Sequence, residues 1–116
     1  MQILNSSYKK FSNKSDQELV AEFKASANNM IVGEFYKRYH HIVFGICLKY
    51  LKSHDTANDA LSQIFTNLFE FLHKYEIKEF KSWLFAVTRN HCLRTIKMET
   101  KSVPFVNDTE NNISIE

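Results

Sequence analysis

Arg89, Asn90, Arg94 and Lys97 lie within one stretch of nine residues. At 100° per residue, Arg89 and Lys97 fall about 80° apart and Arg94 about 60° beyond Lys97. Three cations on one broad side of a helix suit backbone phosphates, and the amide of Asn90 offers a base edge both a donor and an acceptor. Lys74, Tyr75, Lys78 and Lys81 cluster just upstream. Tyr75 has a ring that could stack on a base, but it also continues the buried phase of the preceding helical pattern, which favours a core position. Trp83, spaced with Phe80, Leu84 and Val87, reads as core rather than as a wedge between bases. A second constellation has the opposite character: Asp59, Ser62, Gln63, Thr66, Glu70 and His73 share one helical face nearly free of lysine and arginine, with Phe69 at its flank. Such a face can pair with arginines of a partner helix around an apolar anchor, or it can simply be solvated.

The distribution of charge agrees with two separate surfaces. Residues 55–75 carry one Lys or Arg against three acids, and residues 76–101 carry six against three. Residues 1–54 are net +4 and the stretch after 101 is net −3, which leaves +2 for the whole chain. The five histidines (His40, His41, His54, His73, His91) show no metal-ligand spacing, and there is no glycine-rich phosphate loop. No acid and base are forced onto a common face, so neither a metal nor a cofactor is expected and the chain does not read as an enzyme. Cys47 and Cys92 both sit inside apolar helical patterns and read as small core residues rather than a disulfide.

These side chains must be positioned by helices. Two glycines and one proline in 116 residues are too few for a protein of many short strands and turns, and the length suits one compact all-α bundle of about four helices. Residues 1–14 read as a flexible lead-in with a short turn. Ser15 and Glu18 form a capping box that starts a first helix, about Asp16 to Ser26, burying Leu19, Val20 and Phe23 and broken by Asn28 and Asn29. The spacing predicts a second helix from about Met30 to Leu51, with Ile31, Phe35, Tyr39, Ile42, Val43, Ile46 and Tyr50 facing inward. A third, about Thr56 to Lys74 and capped by Ser53 or Asp55, buries Ala57, Ala60, Leu61, Ile64, Phe65, Leu68 and Leu72. Tyr75 to Glu79 form a loop. A fourth helix, about Phe80 to Met98, turns Phe80, Trp83, Leu84 and Val87 to one side and Phe85, Cys92 and Ile96 to another, so its apolar stripe shifts midway. Pro104 and the Asn, Asp, Thr and Ser around it mark residues 99–116 as a flexible linker or tail. The chain has no apolar run of membrane-spanning length and no signal peptide, which points to the cytoplasm.

Four motifs in order resemble region 2 of the extracytoplasmic-function (ECF) sigma factors. Phe80-Lys81-Ser82-Trp83-Leu84-Phe85-Ala86-Val87-Thr88-Arg89-Asn90 resembles F-x-x-W-L-x-x-I-A-R-N, and Asp55-Thr56-Ala57-Asn58-Asp59-Ala60-Leu61-Ser62-Gln63-Ile64-Phe65 resembles D-A-x-D-L-x-Q-E-x-F. Asp16-Gln17-Glu18-Leu19-Val20 is similar to D-x-E-L-V, and Phe35-Tyr36-Lys37-Arg38-Tyr39 to the segment F-x-x-L-Y-x-x-Y. The resemblance covers residues 15–98. It departs at Ser62 and Gln63, where glutamine and glutamate are usual, and at Arg94, where aspartate is common. It implies that Asp59, Ser62, Gln63, Thr66, Phe69 and Glu70 bind the beta-prime clamp helices of core RNA polymerase. It further implies that Lys74, Tyr75, Lys78, Lys81, Arg89, Asn90, Arg94 and Lys97 recognise and melt the minus-ten element of promoter DNA. An anti-sigma factor is a further implied partner, and the family's region 4 finds no room after Pro104, so either a fragment or a short sigma-like protein is expected, with the fragment favoured. The rival reading is a sigma-like interaction module or decoy that binds polymerase or a regulator without reading DNA.

Overall fold

Ser15 starts the first helix reciprocally. Its Oγ accepts from the Glu18 N–H at 3.1 Å, while Glu18 Oε1 accepts from the Ser15 N–H at 2.8 Å. The computed structural model describes residues 11–99, which form four helices: α1 (Asp16–Ser26), α2 (Asn29–Leu51), α3 (His54–Lys74) and α4 (Phe80–Glu99). Among the described residues there is no strand, and no helix is long and apolar enough to cross a membrane. Residues 1–10 of the expected lead-in and 100–116 of the expected tail lie outside the described residues. Phe11, expected in the lead-in, is instead buried in the core.

The break after α1 is made by Ala27 in the left-handed conformation (φ 56°), whose N–H donates to Phe23 O. Asn28, expected to break the helix, in fact begins the next one: its Oδ1 accepts from the Met30 N–H at 2.9 Å. Lys52, also left-handed (φ 64°), ends α2, and Ser53 Oγ accepts from the Thr56 N–H to start α3. All seven residues expected to be buried on α3 are buried.

α2 and α4 pack along their buried rows. The two helices run parallel. Ile31, Phe35, Val43 and Cys47 form a buried row at intervals of four residues or multiples of four on α2, and Phe80, Leu84, Thr88 and Cys92 form another on α4. Phe35 stacks on Phe80 at 3.9 Å between ring centroids. At the far end of the pair the Cys47 and Cys92 thiols hydrogen-bond, and that bond together with burial pushes the Cys92 thiol up. Both cysteines are free. Thr88 joins the two apolar groups of α4 into one row, its Oγ1 hydroxyl donating to Leu84 O at 2.8 Å; the row winds about 120° around the helix from Phe80 to Cys92, so the stripe does shift along α4. Ile42, expected inside, is 46% exposed, and Tyr39, Ile46 and Tyr50 are half-buried.

An ion network ties α1 to α2. Arg38 donates from Nη1 to Asp16 Oδ1 at 2.7 Å, from Nε to Glu34 Oε2 at 2.8 Å, and from Nη2 to the carbonyls of Phe11 and Lys14. Burial opposes the charge on Arg38, but the bonds from Glu34 and Asp16 outweigh it and hold the guanidinium pKa above its ordinary value. The Tyr39 hydroxyl donates to Asp16 Oδ2; burial first, then that bond, pushes its pKa up to about 12. Glu34 is 2% exposed, and its Oε1 has no hydrogen-bond partner.

Candidate nucleic-acid and protein interfaces

Positions 83, 87, 90 and 94 recur at intervals of four, three and four along α4 and so share one face. In the structure Trp83, Val87, Asn90 and Arg94 line one side of a surface pocket of about 210 Å³. Phe71 and Tyr75, one turn apart at the end of α3, line the other. Phe71 meets Trp83 edge-on, with centroids 6.0 Å apart at 87°, and Tyr75 at 5.7 Å. The Lys74 ammonium lies 5.5 Å from the centre of the Tyr75 ring. Aromatic rings, an amide and a guanidinium thus converge on a space open to solvent.

Tyr75, placed in the core on its periodicity, is 43% exposed because α3 ends at Lys74 and the backbone turns extended at Tyr75. Trp83, also expected in the core, is half-buried, packed against the core on one side and lining the pocket on the other. Lys74, Lys78 and Lys81 are exposed around the loop. The cations of α4 do not act as one side. Arg94 joins the pocket, whereas Arg89 is half-buried, with an Nε atom that is buried and without a partner. Lys97 is half-buried. His91, between them, has its pKa lowered by burial and then by the charge of Arg94, which favours the neutral ring. Phe71 was absent from the sequence reading; its position one turn before Tyr75 was the available signal.

The other constellation is on the outer face of α3. Asp59, Ser62, Gln63, Thr66, Glu70 and His73 are all exposed there. Phe69 is half-buried, its ring 6.3 Å from that of Phe23 on α1, so part of its apolar surface is already used within the fold. Residues 55–73 contain no lysine or arginine, so this face would favour a basic partner.

The family described as Sigma-70 region 2 matches residues 35–102. The ECF RNA polymerase sigma factor SigM of Bacillus subtilis (strain 168) is 29% identical over 79 residues, which are 68% of this chain and 48% of SigM. The chain thus spans about half the length of this curated relative. No solved structure matches. The helical bundle, the order of its motifs and these matches agree, and the chain belongs to the sigma-70 region 2 family.

Proposed function

We propose that this chain serves a sigma factor in transcription initiation, acting without catalysis in the cytoplasm: α3 binds the beta-prime clamp helices of core RNA polymerase, and the α3–α4 loop with α4 recognises and melts the minus-ten element. The observation that carries the proposal is the convergence of Tyr75, Asn90 and Arg94 on one pocket walled by Phe71 and Trp83. Melting requires that a base leaving the stack find a surface to stack on, a group to read its edge and a cation for the strand's phosphates. Those are the groups present. An anti-sigma factor that covered either face would block the function.

Single-stranded promoter oligonucleotides test the pocket. Tyr75→Ala is expected to weaken binding by about 1–3 kcal/mol, the scale of one base stacked on one aromatic ring. Asn90→Ala should erase preference for one base while sparing overall affinity. Arg94→Ala should weaken all sequences alike and reduce the salt slope by roughly 0.7. Arg89 and Lys97, replaced together by alanine, should act in the same sense as Arg94. Fluorescence anisotropy against matched and scrambled strands at several salt concentrations gives all three readings. Unchanged salt slopes in these variants would leave the decoy as the better account.

The protein face has its own test. Gln63→Arg with Glu70→Arg places two cations on an exposed face that now has none, and should abolish capture by a beta-prime clamp-helix fragment without loss of helicity. Capture at the wild-type level would remove the polymerase assignment from α3.

A further inference from the structure

Two polar side chains of α1 reach the segment that carries Tyr75. Lys24 Nζ donates to the carbonyls of Leu72 at 3.0 Å and Tyr75 at 2.9 Å, with a longer contact of 3.5 Å to His73 O. Gln17 grips the other end of the loop. Its Nε2 donates to Ile77 O at 3.1 Å, and its Oε1 accepts from the Phe80 N–H at 3.0 Å. Between the two, Ile77 is buried in the core at 5% exposure.

The last carbonyls of a helix and the first N–H groups of the next have no partners within their helices. A lysine at the C-terminal end satisfies such carbonyls and favours the dipole. Here both orphaned ends belong to the connection between α3 and α4, and both are met from α1. The connection contains neither glycine nor proline, so its path is not dictated by a special residue. The Tyr75 ring is 43% exposed, and its contacts with Phe71 and Lys74 are with neighbours on its own helix end, so they do not tie the loop to the rest of the bundle. A binding loop held by few buried contacts opens readily, and a site that must first be ordered binds more weakly than one already formed.

We infer that Gln17 and Lys24 are positioning residues, which hold the α3–α4 loop so that Tyr75 stands at the pocket before any base arrives. This rests on the reading of that pocket as a base site. The two residues touch no nucleic acid in this account. They act through Tyr75, and a change in them alters selectivity rather than the hold on phosphate.

The full chain is tested with Lys24→Met, Gln17→Leu, the double variant, and Lys24→Arg as the conservative control. Hydrogen exchange at residues 76–80 is expected to quicken about tenfold in the double variant, with exchange in the middle of α2 and α3 unchanged. The ratio of affinities for matched over scrambled single strands should fall about tenfold while the salt slope stays at the wild-type value, because Arg94 is untouched. Lys24→Arg should keep both properties. Loop exchange at the wild-type rate would overturn the inference, and so would a retained ratio in a loop shown to be loosened. If the double variant does not fold, the exposed Lys24→Met alone decides on the same readings. A wild-type protein that prefers no oligonucleotide would instead overturn the base-reading function, and loop exchange would still decide whether α1 holds the loop.

Discussion

Arg38→Met is expected to destabilise the bundle by about 3 kcal/mol, as measured by a lower urea midpoint at unchanged slope. The methionine keeps most of the stem's volume but leaves the Glu34 carboxylate buried with no cation. It also removes the donor that Asp16 and the carbonyls of Phe11 and Lys14 share. The magnitude sits at the lower end of the range for a broken buried pair because Arg38 and Asp16 each keep about a fifth of their side-chain surface in water. Adding Glu34→Met to Arg38→Met should recover part of the loss, since a neutral pair of similar volume no longer pays for an unpaired charge. A double variant less stable than the single one would show that Glu34 contributes in some way other than as a partner of Arg38.

Phe80→Ala should cost about 3–5 kcal/mol. Phe80 is fully buried, stacks on Phe35, and lies 5.8 Å from Tyr39 and 5.9 Å from Trp83 between ring centroids. It is also the first residue of α4, so the cavity opens where the helix that lines the pocket begins. Binding of single strands should weaken along with stability even though Phe80 does not line the pocket. A loss below about 1 kcal/mol in chemical denaturation would mean that the ends of α2 and α4 collapse around the gap.

The legibility of this fold in its sequence follows from which signals are periodic. On α3 the apolar residues recur regularly and the opposite face is wholly polar, so every buried position could be assigned. On α2, apolar residues flank the buried row, and Ile42 has the spacing of a core residue although it is exposed. Thr88 and Glu34 escaped because each buries a polar group whose partner is invisible to a hydropathy pattern: Leu84 O for the first and Arg38 for the second. The helix starts at Ser15 and Ser53 were legible because capping is local. The Gln17 and Lys24 contacts were not, since they join residues 48 to 63 positions apart and follow no period. Of the proposed DNA-binding residues, Tyr75, Asn90 and Arg94 converge on one pocket, while the loop lysines and Arg89 lie apart from it. Sequence spacing places cations around a helix, but only the packing against α3 decides which of them border a hollow.

The short junction between α2 and α3 bears on how the chain assembles. Only Lys52 and Ser53 separate these helices, so their pairing closes almost no loop, whereas the Phe35–Phe80 stack joins residues 45 apart. The entropy lost on closure grows with the logarithm of the span, by about 0.6 kcal/mol for each doubling. The α2–α3 hairpin, like the equally short α1–α2 junction through Ala27 and Asn28, is thus ordered at little cost, and the α2–α4 stack forms against a larger one. The pocket lies outside that costlier closure: Phe71 and Tyr75 come from the end of α3 and the remaining walls from α4, across a connection of only five residues, so its two sides meet at little entropic cost.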